Sequence, residues 1–215
     1  MKAINRNEVF ENFPKIRTLI ANFQSAFFDE EYDSKEDEIF DAINFENKIE
    51  TENFCIRVPN KNLEKHAEKS SDKIKKLIDF LKADELIIIS HLKLDFFGNI
   101  EHDYPKVANA YKKLAKYFPN KSFKESIEIN KSEIADFVEI LFWLERCDPS
   151  IPEYVFWFDK NEKFCFYFCK YGNIHIIDLT NGNLISDEEL LNLGFALDDY
   201  DQFEENAIEG RQIKV

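Results

Sequence analysis

The sequence predicts a single α+β domain in which an antiparallel sheet packs against several amphipathic helices. Residues 153–185 alternate and turn like a β-meander, and the chain before them contains several stretches with apolar residues at helical spacing. The 215 residues include only 5 Gly and 6 Pro, and no stretch is typical of a linker. We therefore expect one domain over 1–215, with a division near 120–130 as the alternative.

Hydrophobic periodicity and capping residues define the elements before the meander. Pro14 and Pro105 each suit the first position of a helix, and Ser71 can cap another helix. Asn130 with Glu133 forms a capping-box pattern ahead of the most apolar helix. The predicted helices cover residues 14–28, 72–83, 105–118 and 131–146. The predicted strands cover residues 39–45, 53–58 and 86–89, the last of which is apolar on both faces.

The clearest β signal lies in the C-terminal part. The predicted strands of the meander cover residues 154–158, 163–171 and 174–179. Gly172–Asn173 has the Gly-first pattern of a two-residue hairpin turn. In the middle strand the phenylalanines face one side, and the cysteines and tyrosines face the other. Ser186 and Glu189 form a second capping box, which begins a short helix that Gly194 ends.

The charge of the chain is large, negative and uneven. The 42 acidic residues outnumber the 28 basic residues and give a net charge of −14. Asp29–Glu38 holds seven acids and one lysine, and Asp187–Glu209 holds nine acids and no base. Lys106–Lys124, in contrast, holds six lysines and no acid. This charge disfavours nucleic acid or an anionic membrane as a partner, because both need a basic surface.

The N-terminus and the cysteines indicate a reduced compartment. The first residues lack the apolar stretch of a secretory signal, and the longest apolar run is too short to span a bilayer. We therefore expect a cytoplasmic protein that makes no membrane contact. Cys55, Cys147, Cys165 and Cys169 are expected to be free thiols, because a protein of this size needs no disulfides.

The sequence contains none of the common cofactor or catalytic motifs. It has no glycine-rich phosphate loop, no Gly-x-Ser-x-Gly elbow and no His-Glu-x-x-His pair, and no cofactor is predicted. Cys165, Cys169 and His175 sit within strands, where zinc sites are rare. Cys147 follows a helix C-terminus, where the helix dipole disfavours a thiolate.

One group of polar residues fits a metal site. His91, Asp95, His102 and Asp103 follow the strand predicted at residues 86–89 and lie ahead of Pro105. Imidazoles and carboxylates are ligands for zinc or a harder divalent ion, so a metal-dependent enzyme using this loop is the alternative function. The competing interpretation is a polar loop in which Asp103 caps the following helix.

Aromatic residues among the acids favour protein recognition instead. The predicted partner-binding residues are Tyr32, Asp198, Asp199, Tyr200, Asp201 and Phe203. The acidic composition and α+β order are similar to those of many bacterial immunity proteins, which occlude basic toxin enzymes in the cytoplasm. We therefore expect a non-enzymatic protein-binding module with a basic protein partner, whose identity the sequence does not indicate; nor does it indicate the oligomeric state.

Overall fold

A seven-stranded antiparallel sheet forms the centre of the protein. The computed structural model describes residues 1–28, 38–60 and 62–197. The strands in chain order are β1 (Lys2–Ile4), β2 (Glu52–Ile56), β3 (Glu85–Ser90), β4 (Ser126–Asn130), β5 (Val155–Asp159), β6 (Phe164–Phe168) and β7 (Ile174–Asp178). They are arranged in the order β1-β4-β3-β5-β6-β7-β2, and every neighbouring pair is antiparallel. The predicted α+β class and the C-terminal meander β5-β6-β7 are thus confirmed.

Six helices surround this sheet in the described part of the chain. They are α1 (Arg6–Asn12), α2 (Pro14–Phe27), α3 (His66–Leu81), α4 (Pro105–Tyr117), α5 (Ile134–Cys147) and α6 (Asp187–Asn192). Pro14 and Pro105 occupy the first helical positions, as predicted. The Ser186–Glu189 capping box is present at α6, and Gly194 follows that helix with a φ of +81°. None of these helices is long and apolar enough to cross a lipid bilayer.

The helices cover both faces of the sheet. On one face, α1 and α2 pack on a cluster that includes Ile87 and Ile89 of β3. On the other face, α3, α4 and α5 pack on a larger cluster that includes Leu86 and Ile88. Because successive side chains of a strand point to opposite faces, a strand covered on both sides must be apolar throughout. The uninterrupted apolar run of β3 follows from this arrangement.

The alternation predicted for the β6 segment is also present. Phe164, Phe166 and Phe168 are buried on the α3–α5 face, where the Phe166 ring stacks on Trp157 with a centroid distance of 5.4 Å. Cys165 is buried on the α1–α2 face. The middle strand of the meander therefore contributes to both cores.

Three predictions of local structure were wrong. Residues 39–45 form turns and bends, because the backbone N–H and the carboxylate of Asp41 bind side chains of α1 and α2. Helix α3 begins at His66 and contains Ser71 as a buried interior residue, so Ser71 is not its cap. Asn130 ends the unpredicted strand β4, and the Glu133 carboxylate accepts a hydrogen bond from its N–H at 3.0 Å, while α5 begins at Ile134.

Several loops meet at one end of the sheet, which we call the loop end. Ser90 at the end of β3 pairs with Val155 at the start of β5, and Phe168 at the end of β6 pairs with Ile174. Because these strands are antiparallel, the loops 91–104, 147–154 and 169–173 all leave the sheet at this end. The C-terminus of α2 also reaches it.

Candidate functional site

A buried polar network lies at the loop end, on the α1–α2 face. The Asp41 carboxylate accepts hydrogen bonds from Nε and Nη2 of Arg6, at 2.9 and 2.5 Å, and from the Gln24 amide at 2.7 Å. Arg6 also donates to the hydroxyl and the carbonyl of Ser90, at 3.1 and 2.9 Å. The side chains of Arg6, Asp41 and Gln24 are all buried. This bidentate, charge-assisted pairing fixes the chain around Asp41 against α1, α2 and the end of β3.

The network fixes the two flanks of the acidic run Asp29–Glu38. Gln24 lies in α2, just before the run, and Asp41 lies just after it. Phe27 and Ile39, also on the two flanks, are 43% and 36% exposed. The Phe27 ring also contacts the rings of His91 and Tyr154, at 4.9 and 6.2 Å between centroids. The described residues on both sides of the acidic run therefore lie at the loop end.

The partner-binding residues predicted from the sequence lie outside the described part of the chain. They are Tyr32 in the acidic run and Asp198, Asp199, Tyr200, Asp201 and Phe203 near the C-terminus. Their role as a binding surface stays a prediction.

The four predicted metal ligands have separate structural contacts. Asp95 accepts hydrogen bonds from the N–H groups of Phe97 and Phe123, at 2.8 and 2.9 Å, and so joins two loops. His102 Nδ1 accepts from the Tyr104 N–H at 3.0 Å. Asp103 is exposed, and Tyr104 occupies the N-cap position of α4, with no side-chain capping bond.

The fourth of these residues, His91, is buried against Tyr154. Its Nδ1 lies 3.2 Å from the Tyr154 carbonyl oxygen. Burial lowers the pKa of His91 to about 4, and nearby Arg6 acts in the same direction. The imidazole is therefore neutral at pH 7. Among the residues that the structure describes, no three His, Cys, Asp or Glu side chains are grouped so that they could hold a metal ion.

The cysteines and His175 show no arrangement suited to nucleophilic chemistry. All four cysteines are free thiols. Burial raises the pKa of Cys147 to about 11, so its thiol stays protonated at neutral pH. The His175 ring stacks on Tyr167 with a centroid distance of 4.8 Å.

A cavity of about 480 Å³ lies at the loop end on the opposite face of the sheet, at the C-terminus of α5. Its wall consists of the last residues of α5, the loop 147–154 and the β6–β7 turn. Apolar and aromatic side chains from these segments include Pro149, Ile151, Pro152, Phe168 and Tyr171. The volume falls within the range of small-ligand sites.

Glu145 of α5 lines this cavity and has an unusual environment. Both carboxylate oxygens are shielded from solvent, and neither has a hydrogen-bond partner in the described part of the chain. The residue as a whole is partly exposed, so the exposed area belongs to its other atoms. Burial raises the pKa of Glu145 well above its usual range. A shielded carboxyl group without a partner is rare in proteins and marks a candidate binding position.

The residues beside Glu145 have partners elsewhere. Arg146 donates a hydrogen bond to the Lys170 carbonyl. Asp148 accepts hydrogen bonds from the Tyr111 hydroxyl and from the N–H of Asn99, the latter at 2.8 Å. Burial and the Asp148 carboxylate raise the pKa of Tyr111. Neither neighbour thus compensates the Glu145 carboxyl.

The spacing of Glu145 from apolar residues of α5 indicates that this position is buried, which the sequence analysis did not predict. Val138, Leu141 and Phe142 lie seven, four and three residues earlier in α5 and are buried. Residues at these spacings share one face of a helix. Glu145 therefore continues a buried stripe, where an apolar residue is expected.

Comparisons with known proteins give no relative for this chain. No family model matches it, and no curated protein or solved structure is significantly similar.

Proposed function

We propose that this protein is a non-enzymatic binding module that recognises a protein with a basic surface, as bacterial immunity proteins recognise toxin enzymes. The observation that carries the proposal is that the two described flanks of the acidic run, with exposed Phe27 and Ile39, lie together at the loop end. Apolar anchors surrounded by charge are typical of protein interfaces. The net charge of −14 favours a partner of opposite sign.

The charge is expected to act mainly on the rate of association. Complementary potentials steer two proteins together and raise the association rate, an effect that salt weakens. A cytoplasmic inhibitor that must intercept a basic enzyme would gain from such steering. Binding should therefore slow markedly as ionic strength rises.

The Arg6–Asp41 pair supports the same function by limiting the cost of binding. It holds the chain that follows the acidic run against α1 and α2, with both side chains buried. A recognition segment with fixed ends loses less conformational entropy when it binds than one with free ends. The buried network thus fixes the chain on both sides of the proposed recognition segment.

The first experiment identifies the partner. The immobilised full-length protein is used to capture proteins from a lysate of the source cells, and bound proteins are identified by mass spectrometry. The proposal predicts capture of a basic protein at low salt and its release at high salt. Capture of acidic proteins alone, or binding that salt does not affect, would contradict the proposal.

The second experiment compares matched charge changes by association kinetics. Neutralising the acidic run with Asp29→Asn and Glu30→Gln should slow association about threefold or more at low salt. The control, Glu68→Gln with Asp72→Asn, removes the same charge from exposed positions on α3 and should have a smaller effect. Equal slowing by both pairs would show that net charge alone acts.

The third experiment applies the same measurement to the C-terminal acids. Asp198→Asn, Asp199→Asn and Asp201→Asn together should slow association and reduce its salt dependence. The unfolding free energy should barely change, since neighbouring charges of like sign do not stabilise one another. A triple variant that binds as fast as the wild type at low salt would remove these residues from the interface.

A further inference from the structure

We propose that the cavity at the C-terminus of α5 receives an uncharged aromatic side chain of the protein partner. The proposal rests on the proposed function and names the part of the partner that fills this cavity. Three observations support it: the cavity lies at the loop end, Tyr154 connects it to Phe27, and the charges in its wall are balanced.

Tyr154 joins the cavity to the surface beside the acidic run. It lies in the cavity wall, and its ring contacts the rings of Phe27 and His91, at 6.2 and 5.2 Å between centroids. Phe27 is the exposed apolar residue on the N-terminal flank of the acidic run. A partner that covers Phe27 therefore needs to extend only past Tyr154 to reach the cavity.

The accessible uncharged part of the cavity wall is largely aromatic and apolar. Tyr154 and Tyr171 are partly exposed and Pro149 is exposed, and they come from two segments, the loop 147–154 and the β6–β7 turn. Aromatic rings pack favourably against other rings in edge-to-face or offset contacts. Aromatic anchors that enter such pockets carry much of the binding energy in protein interfaces.

The charges in the wall favour neither a cation nor an anion. The two basic residues, Arg146 and Lys170, are matched by two acidic residues, Asp148 and Glu153. Arg146 also donates a hydrogen bond to the Lys170 carbonyl. Glu145 adds no exposed charge, because both its carboxylate oxygens are shielded from solvent. An uncharged side chain loses the least hydration on entering this cavity.

The cavity and the acidic run would contribute differently to one interface. The acidic run attracts a basic partner at long range and acts on the association rate. An aromatic anchor acts mainly on the dissociation rate, because it must leave a desolvated pocket before the complex separates. The expected partner therefore presents an aromatic side chain within a basic surface.

The first test is an NMR titration of the isotope-labelled full-length protein with three capped amino acids. N-acetyl-tryptophanamide supplies an uncharged aromatic side chain, N-acetyl-argininamide supplies a cation, and N-acetyl-alaninamide supplies neither. The proposal predicts that the tryptophan derivative alone gives saturable shifts, and that they fall on residues 145–154 and 168–171. It is overturned if the tryptophan derivative shifts none of these residues at about 10 mM, or if the arginine derivative binds as tightly.

Two variants on separate segments assign the binding to the cavity. Tyr171→Ala removes an aromatic wall, and Pro149→Asp places a charge in the apolar part. Each should weaken binding of the tryptophan derivative at least threefold. The control, Tyr117→Ala, removes a partly exposed tyrosine of α4 outside the cavity and should bind as the wild type does. Wild-type affinity in both cavity variants would overturn the proposal.

Kinetics with the captured partner separate the role of the cavity from that of the acidic run. Tyr171→Ala should raise the dissociation rate at least fivefold and leave the association rate unchanged. An unchanged dissociation rate would overturn the proposed role of the cavity, while slower association of the acidic-run variants would still support the proposed function. Binding of the tryptophan derivative without capture of any basic protein would contradict the proposed function and assign the cavity to a free aromatic ligand instead.

Discussion

Asp41 and Glu145 are two shielded carboxyl groups at the same end of the sheet, on opposite faces, and their surroundings differ. Asp41 accepts hydrogen bonds from two nitrogens of Arg6 and from the Gln24 amide. Glu145 receives none from the described part of the chain. One carboxyl group is therefore satisfied by the fold itself, while the other has no compensating group in the described part of the chain.

The difference shows that a buried carboxyl group has a different meaning depending on whether the fold supplies hydrogen-bond donors to it. A buried carboxylate with a complete set of donors fixes the geometry of the chain around it. A shielded carboxylate beside a cavity, with no donor, adds nothing to folding and lowers stability. It is the second kind that indicates function.

The largest expected effect on the unfolding free energy comes from leaving the Asp41 carboxyl group without its cation, as Glu145 is. Arg6→Met removes the cation and leaves the Asp41 carboxylate buried, which should cost about 3–5 kcal/mol of unfolding free energy. The double variant Arg6→Met/Asp41→Leu should recover part of that loss, because it removes the stranded charge. Urea denaturation measures both. A single variant that loses less than about 1 kcal/mol would show that the pair does not fix the chain.

Lowering the pH should change the unfolding free energy in opposite directions through His91 and through Glu145, which lie on the two sides of the loop end. His91 has a folded-state pKa of about 4, below its value of 6.5 when exposed. Its contribution to stability is thus complete above pH 6.5 and declines as pH falls towards 4. By pH 5 the loss should be about 2 kcal/mol.

The variant that tests this effect is His91→Phe, which cannot be protonated. It should reduce the loss of unfolding free energy between pH 7 and pH 5, measured by urea denaturation at both values. An unchanged pH dependence would place the acid sensitivity elsewhere. His66, whose pKa burial also lowers to about 4, is the group that would then remain to be tested.

A smaller effect of opposite sign is expected at Glu145. Glu145→Met removes an uncompensated carboxyl and should raise the unfolding free energy by about 1–2 kcal/mol at pH 7. Because the folded-state pKa of Glu145 is raised, the wild type loses stability as pH rises from 4.5 towards that pKa. The advantage of the variant should therefore shrink as the pH is lowered to 4.5. A gain that is independent of pH would contradict this origin.

The sequence was sufficient to predict the sheet and helices with strong periodicity. The alternation in β6 and the apolar stripe of α5 were both confirmed, because each element is covered on the faces that its pattern indicates. Strand β4 was missed, although Ile127 and Ile129 alternate with polar residues. The capping pattern of Asn130 and Glu133 indicated a helix start there, and the pairing of β4 with β1 and β3 overrode it.

The candidate site was harder to predict for a physical reason. A glutamate near the end of a helix is normally solvated, and the cavity wall at Glu145 also contains the loop 147–154 and the β6–β7 turn. The partner of Asp41 was hidden in the same way, since Arg6 precedes it by thirty-five residues. The environment of Asp41 thus depends on a segment distant in the sequence, and that of Glu145 depends partly on one, the β6–β7 turn.

The most direct test of the account replaces each carboxylate by its amide and compares the unfolding free energies at pH 7. Asp41→Asn disrupts the pairing with Arg6 and should lose about 3 kcal/mol or more. Glu145→Gln replaces a carboxyl group that no neighbour in the described part of the chain compensates and should stay within about 1 kcal/mol of the wild type or exceed it. Similar losses in the two variants, or a larger loss for Glu145→Gln, would contradict the distinction between a carboxylate that the fold satisfies and a carboxyl group that it leaves uncompensated.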